Sequence, residues 1–378
     1  MDGKVEYAAF HASRICDMHD AEITAIATWS DMMYVGTRRG KLFVYTLNPD
    51  FRDESPDAVC GCFEEAVVEL EGSEEIQKIE IIESLGTLLI LCGRRVEIRD
   101  LASFELLDRV EGQFSDVCTT DMDGLHHLVT GKDRSIEVFK YDEGYVRSFE
   151  IKMDETVLKL AAHKEMVYVA TSKSYWTCDL RDKAKDFIFH FDLQANTSSW
   201  SPNIQLRGDD GKCEVYFSAP GKCVSSDVKV SHLRVAMEWN EPTDQVMVCR
   251  PYLLLKRQDG VEAFNLHLRK ILRSPIQSFA DLSFQGVFFV DHRRVFLASQ
   301  SSVFCLSMST NDFQIRQLLH ARGIAHSFLV RCAELLLHQR QDEHRATFPS
   351  ATKLMWFNEE IAYSLLNKLQ FKESIAFF

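Results

Sequence analysis

Proline and glycine are scarce in this sequence, with 8 and 17 among 378 residues, and the hydrophobic content is 46%. That balance excludes a disordered or low-complexity chain and leaves ample material for buried cores. No run of eighteen apolar residues occurs, so no bilayer-spanning helix is predicted. The opening residues Met1-Asp2-Gly3-Lys4-Val5-Glu6 hold no apolar core of signal-peptide length, and their acidic residues oppose a transit peptide. Gly3 stands one place too late for myristoylation. Positive charge is in deficit: a net charge of −13 disfavours broad nucleic-acid binding and bulk attraction to anionic membranes. The eleven cysteines lack secreted-framework spacing; Cys16, Cys92, Cys118, Cys178 and Cys249 are scattered, most of them inside apolar runs. There free cysteine behaves as a small buried hydrophobe. The expectation is a soluble chain of a reducing compartment, whose membrane contact comes through a patch or a partner.

Catalytic signatures are also missing. No H-E-x-x-H, G-x-S-x-G or G-x-G-x-x-G is present. Gly36-Thr37-Arg38-Arg39-Gly40-Lys41 is one residue short of a phosphate loop and lacks the following Ser or Thr. It reads as a strand-to-strand hairpin, with no helix N-terminus to meet a phosphate. Asp121-Met122-Asp123-Gly124 has Lys132 where a calcium loop needs its bidentate Glu, and reads as a turn. Cys60-Gly61-Cys62 has a single intervening residue and no second pair, so free surface cysteines are expected rather than a zinc knuckle. His126-His127 with Cys118 reads as strand residues, one histidine inward and one outward. The expectation is a non-enzymatic protein with no catalytic residues, no cofactor and no metal site.

What the sequence does contain is a repeat. Residues 23–47, 76–101, 117–141 and 157–180 each carry an apolar strand, a polar turn, a second strand, a tight turn and an alternating third strand. Later third strands are Gly260-Val261-Glu262-Ala263-Phe264 and Ser302-Val303-Phe304-Cys305-Leu306. Taking Leu42, Val96, Ile136, Tyr175, Val261 and Val303 as register marks, the steps are about 54, 40, 39, 86 and 42 residues, against the roughly 40–50 of propeller blades. The double step predicts a hidden unit, with Glu214-Val215-Tyr216-Phe217 and Asp227-Val228-Lys229-Val230 as candidate strands in the poorly patterned stretch 196–242. The long first step is read as a surface-loop insertion over residues 48–75, rich in Asp, Glu, Pro and Gly. Seven blades follow. Radial repetition protects sheet edges, which is how a chain so rich in strands stays in solution.

From about Asn311 the period becomes helical. Phe313, Leu318 and Leu319 precede Gly323, and Ile324, Phe328, Leu329, Cys332, Leu335 and Leu336 then recur at three- and four-residue spacing. Asn311 or Asp312 is the expected helix cap and Gly323 a left-handed stop. After a polar loop at 339–350 comes a third helix carrying Trp356, Ile361, Leu365, Leu366 and Leu369. Leu318-Leu319, Ser327 and Phe328 return at Leu365-Leu366, Ser374 and Ile375, about 47 residues on, as in a helical-hairpin repeat. The predicted organisation is mainly β: a seven-bladed propeller over residues 1–309, then the first hairpins of an α-solenoid over 310–378, apparently truncated because solenoids need three or more repeats.

The turns between second and third strands carry Arg38, Arg39, Arg94, Arg95, Lys132, Arg134, Lys173 and Arg257 against Asp133 and Asp259. In a propeller such turns share one face, so a molecule of net negative charge is expected to show a cationic docking face for an acidic protein surface or anionic lipid head groups.

The order of parts carries a resemblance. Ile23-Thr24-Ala25-Ile26-Ala27-Thr28-Trp29 with the strand pair 34–45, Ile76-Gln77-Lys78-Ile79-Glu80-Ile81-Ile82 with Val96-Glu97-Ile98-Arg99-Asp100-Leu101, and Pro251-Tyr252 with Val261-Glu262-Ala263-Phe264 resemble blades of a citron homology (CNH) propeller. Ile315-Arg316-Gln317-Leu318-Leu319 falls where such proteins continue into clathrin-like helical repeats. The combination is similar to the Vam-type vacuolar sorting and TGF-beta receptor-associated protein family of HOPS and CORVET tethering subunits. Members of that family are far longer and end in a cysteine-rich zinc element that does not occur here, which puts assembly through distal repeats in doubt. The resemblance implies an adaptor or tethering subunit in endosome-to-lysosome or vacuole transport. It would dock a Rab-family small GTPase and other tethering-complex subunits, cytoplasmic and peripheral on late endosome or lysosome membranes. The alternative is a CNH signalling scaffold binding small GTPases or receptor tails.

Overall fold

A computed structural model describes residues 6–18, 21–48, 61–191, 200–208, 213–268, 272, 274–280, 282, 284, 287–291, 293–320, 326–339 and 351–367. Among the described residues, twenty-eight strands form seven antiparallel four-stranded sheets. The first blade is β2 (Ile23–Trp29), β3 (Met32–Thr37), β4 (Lys41–Leu47) and β5 (Cys62–Glu69). The second is β6 (Ile76–Ile82), β7 (Thr87–Cys92), β8 (Arg95–Asp100) and β9 (Leu106–Glu111). The third is β10 (Asp116–Met122), β11 (Leu125–Lys132), β12 (Ser135–Tyr141) and β13 (Tyr145–Lys152). The fourth is β14 (Val157–His163), β15 (Met166–Thr171), β16 (Ser174–Asp179) and β17 (Ala184–His190). The fifth is β18 (Ile204–Arg207), β19 (Glu214–Ala219), β20 (Lys222–Asp227) and β21 (Arg234–Glu238). The sixth is β22 (Gln245–Cys249), β23 (Tyr252–Arg257), β24 (Gly260–Asn265) and β25 (Gln277–Phe279).

The seventh blade takes β26 (Val287–Asp291), β27 (Arg294–Ala298) and β28 (Ser302–Met308) from the end of the propeller, and its outer strand β1 (Phe10–Asp17) from the start of the chain. β1 pairs antiparallel with β28 from Phe10 opposite Met308 to Asp17 opposite Ser302. The first strands touch in a closed ring, β2–β6–β10–β14–β18–β22–β26–β2. This is the seven-bladed propeller expected from the repeat, and every register mark lies in the third strand of its blade.

Three sequence expectations are corrected. Residues 48–75 are not simply an insertion, because 62–69 form the outer strand β5; its Phe63-Glu64-Glu65 run reads as loop only because an outer strand keeps one face exposed. Asp227-Val228-Lys229-Val230 is not a strand: β20 ends at Asp227, and Val230 turns the chain with φ 54°. Helix α1 (Asn311–His320) is capped by neither Asn311 nor Asp312; the backbone N–H of Phe313 donates to Thr310 Oγ1 at 3.3 Å. Gly323 and residues 340–350 and 368–378, with Ser374 and Ile375, lie outside the described residues.

Apolar packing is organised between blades rather than within them. Seven buried clusters each join two neighbouring sheets, for example Leu42, Val44, Ile76 and Ile90 between the first and second. Glycine sets the approach at two equivalent places. A Cβ on Gly36 would stand 2.4 Å from Ile76 Cγ2, and one on Gly131 2.6 Å from Val157 Cγ1, so the second strand presses on the next blade's first strand only because it carries no side chain there.

Polar side chains on the inner strands also reach forward. Thr24 Oγ1 donates to the Ile76 carbonyl at 2.7 Å. Lys78 Nζ lies 3.1 Å from Asp116 Oδ1 and 2.9 Å from Glu80 Oε1. Asp116 Oδ2 accepts the Leu160 N–H at 2.8 Å, and Gln205 Nε2 donates to the Val246 carbonyl at 2.7 Å. Blades that met through apolar contact alone could slide; these bonds fix their register.

α1, α2 (His326–Gln339) and α3 (Ala351–Asn367) follow β28 and share one core with the propeller. Ile315, Leu318, Leu329, Cys332, Leu336 and Phe357 are in the cluster that holds Phe10, Tyr252 and Leu306. Gln314, fully buried, accepts from the Tyr252 hydroxyl and donates to the Ser309 carbonyl. Among the described residues no helix is long and apolar enough to cross a membrane.

The Lys78–Asp116 pair makes a pH prediction. Burial pushes the Asp116 carboxyl up, but Lys78, Lys159 and the Leu160 N–H outweigh it and hold the group below the usual carboxylate range. Burial lowers the Lys78 ammonium, and Asp116 and Glu80 outweigh that to raise it. The depressed carboxyl therefore contributes stability fully above its unfolded pKa of about 4, lost as pH falls through the folded value; the raised ammonium contributes below about 10.4, lost as pH rises. In urea unfolding at pH 7, Asp116→Asn is expected to lose about 1–3 kcal/mol by leaving Lys78 with Glu80 as its remaining carboxylate. An unchanged midpoint would show that the pair holds nothing together.

Candidate functional site

Antiparallel order fixes which loops share a face. In every blade the turn from second to third strand emerges beside the linker from the fourth strand to the next blade's first; the other turns emerge opposite. The eight basic residues marked in the sequence therefore lie on or next to one face, in three different states.

Arg39, Arg94, Lys132, Arg134 and Lys173 are exposed, and among the described residues no ion pair engages them. Arg38 is exposed but paired with Glu22 at 2.7 Å. The remaining two are structural. Arg95 donates to Glu97 at 2.8 Å, to Glu74 at 3.0 Å and to the Glu71 carbonyl. Glu97 is fully buried in β8 and is also held by Arg99 at 2.7 Å, with Arg109 at 3.6 Å. Arg257 donates to Glu262 at 3.0 Å, to Thr243 Oγ1 at 2.9 Å and to the Glu241 carbonyl at 2.8 Å. Arg95 and Arg257 thus brace their own blades, because a buried or half-buried guanidinium must be paired.

Sequence reasoning missed the linkers on the same face. They bring Glu71, Glu74 and Glu75 beside the second blade, Asp154 and Glu155 beside the fourth, and Glu241 and Asp244 beside the sixth. The signal was the acidic character of successive blade-to-blade connections, readable once strand order is known. Several of these carboxylates are internally engaged. Glu155 accepts from Thr171 Oγ1, from Ser174 Oγ at 2.9 Å and from the Lys173 N–H at 3.2 Å. Burial raises its carboxyl, but these donors, Thr171 first, outweigh it and hold the group below its usual range.

The face divides into two sectors. The turns of blades one to four present the exposed cations as an arc. Those of blades five to seven, Pro220-Gly221, Gln258-Asp259 and Ser299-Gln300-Ser301, are neutral or acidic. Between the sixth and seventh blades lies a cleft of roughly 470 Å³, lined by Gln258, Leu282, Phe284, Ser299, Gln300 and Ser301. The cleft couples a small apolar floor, Leu282 and Phe284, to hydroxyl and amide groups.

The residues set aside in the sequence behave simply. Thr37 Oγ1 and Gly40, with φ 69°, close the hairpin at Gly36–Lys41, while Asp123 and Gly124 make a left-handed turn. His127 is buried with Nδ1 2.9 Å from the Leu125 carbonyl, and His126 lies outward with Nε2 3.1 Å from Ser84 Oγ. Cys62 is a free cysteine, half-buried on β5 where its thiol meets the Ile15 carbonyl of β1; Cys60 lies outside the described residues. Among the described residues no group of three or more His, Cys, Asp or Glu could hold a metal.

A family model described as the CNH domain matches residues 29–280. No curated protein matches the chain in sequence. Among solved structures, the AfRom2 CNH domain aligns with a TM-score of 0.58 at 11% identity, covering 79% of this chain and 99% of that one. The β-propeller domain of Myceliophteria thermophila Cps50 (Swd1) gives 0.59 at 11% identity over 79% and 99%. The computationally designed Ika8 protein gives 0.52 at 10% identity over 78% and 100%. At these identities the structural likeness shows the fold alone.

The two classes of turn arginine predict opposite outcomes. Arg94→Glu is expected to change stability by less than about 0.5 kcal/mol, as at an exposed site. Arg95→Ala should lose about 1–3 kcal/mol, because it strips a donor from the buried Glu97. Chemical denaturation of both variants checks this, and equal losses would refute the division.

Proposed function

The chain belongs to the CNH domain family, and on that premise we propose that it is a non-enzymatic adaptor or tethering subunit of endosome-to-lysosome (vacuole) trafficking. CNH propellers are typically protein-interaction scaffolds, and the features described here suit that role. The cationic arc offers Arg39, Arg94, Lys132, Arg134 and Lys173 to an acidic surface, and the neighbouring cleft can take a peptide segment. The partner in this reading is a Rab-family small GTPase, with other tether subunits reached through the helices. Peripheral attachment to late endosome or lysosome membranes then comes through the GTPase.

The observation that carries the reading is the single core shared by the last two blades, α1, α2 and α3. It supports the Vam-type arrangement, in which a propeller continues into helical repeats. A propeller rigidly joined to a helical arm can hold one partner at a fixed distance from another, which is what a tether requires and a catalyst does not.

The experiment is binding of the purified chain to a panel of endolysosomal Rab proteins, each loaded with a GTP analogue or GDP. Selective binding to one GTP-loaded member is expected, and the pair Arg39→Glu with Arg94→Glu should slow association about tenfold at low salt, the effect shrinking as salt rises. Absence of binding to every member would overturn the Rab reading and favour the signalling scaffold. Binding untouched by the charge reversals would move the site off the arc.

A further inference from the structure

Beside the strand that closes the ring, the outer strand of the seventh blade, β1, comes against the outer strand of the first, β5, and a pair of cysteines lies at that seam. Cys16 is on β1 and Cys62 is the first residue of β5. Cys62 Sγ donates to the carbonyl oxygen of Ile15, the residue next to Cys16, at 3.7 Å, and both cysteines pack against the one apolar cluster that holds Ile15, Tyr45 and Leu47. A register shift between Arg14 and Cys16 marks a bulge in β1 at Ile15. Bulges re-aim side chains, and this one places the Cys16 thiol at the seam instead of in the regular alternation.

The environment suits reaction. Seven of the other described cysteines, Cys92, Cys118, Cys178, Cys223, Cys249, Cys305 and Cys332, are buried, and burial raises those thiols that shift. Cys16 and Cys62 are half-buried, so small reagents can reach them. The neighbouring Cys16 thiol holds the Cys62 thiol below its ordinary value, while the Cys62 thiol and burial push Cys16 up. Of the two, Cys62 is therefore the thiol that gives up its proton more readily and acts as the attacking sulfur.

We propose that Cys16 and Cys62 are a redox latch, oxidised by a low-molecular-weight disulfide such as oxidised glutathione to a disulfide that fastens the first and last blades covalently. The Cys62 thiolate attacks one sulfur of the glutathione disulfide, forming a mixed disulfide as one glutathione thiolate leaves. Cys16, having lost its proton to solvent, attacks the Cys62 sulfur, and the second glutathione thiolate leaves. The two protein thiols give up two electrons and two protons, and one glutathione disulfide becomes two molecules of glutathione. The bond would add a covalent link to a seam made of the apolar cluster between Ile26, Tyr45 and Phe296 and of loop hydrogen bonds such as Ile23 N–H to the Gln300 carbonyl.

The test is incubation of the full chain in glutathione buffers of increasing oxidised fraction, followed by alkylation, peptide mapping and thermal melting. The expected first intramolecular linkage is Cys16–Cys62, with a melting temperature raised by about 3–6 °C and restored by dithiothreitol. Cys16→Ser and Cys62→Ala should each abolish the linkage and the shift while melting like the reduced parent, and Cys60→Ser should keep both. Mapping on the parent chain does not depend on either variant folding. A Cys60–Cys62 linkage, two free thiols under oxidising buffer, or an oxidised parent that melts with Cys16→Ser would each overturn the latch.

Discussion

Seven sheets packed face to face can bury their surfaces only if the ring they form is closed. Each apolar cluster belongs to two blades, so an open ring would leave two exposed faces and one core missing. Closure here falls to hydrogen bonding between distant parts of the chain: β1 completes the blade begun by β26, β27 and β28. A ladder of this kind costs chain entropy to close, and that cost is recovered only when all seven interfaces form together. The forward-reaching side chains of the inner strands, Thr24, Lys78, Asp116 and Gln205, depend on the same condition, since each needs the next blade in place.

Much of this was legible in the amino-acid order, for identifiable reasons. Third strands such as Ser135-Ile136-Glu137-Val138-Phe139 alternate cleanly and follow tight polar turns, so they announced the period. β1 did not, because its partner lies nearly the whole propeller away and nothing local distinguishes Phe10-His11-Ala12-Ser13-Arg14 from an extended lead-in. The third strand of the fifth blade was hidden by its composition: Ser225 and Ser226 are buried there as partners of Arg234 and His232, where apolar residues were sought. The docking face was half legible. Positions of the cations followed from turn spacing, but Glu97, flanked by Val96 and Ile98, looks outward-facing in sequence and is fully enclosed by arginines in space. Arg95 therefore appeared free when it is engaged.

The charge pattern also revises how a molecule with a net charge of −13 can present a basic surface. Its carboxylates are not simply elsewhere; some lie in the linkers beside the cationic turns, where Glu74 pairs with Arg95 and Glu241 with Arg257. What projects is the set of cations beyond their reach. Such an arc, above a carboxylate collar, gives a local field that decays quickly, so recognition there is short-ranged and sensitive to the shape of the partner.

The residues just before β1 do something besides lead into the ring. The backbone N–H of Ala8 donates to Gln317 Oε1 on α1 at 2.6 Å, Asn265 Nδ2 donates to the Tyr7 hydroxyl at 3.1 Å, and Phe10 lies edge-on to Tyr252 at 5.1 Å. The helical arm is therefore anchored at the clasp of the propeller and not at an arbitrary blade. Tension applied along that arm reaches, besides the sixth blade at Tyr252, the strand whose pairing with β28 holds the circle shut, so a pull on the arm bears directly on the integrity of the ring.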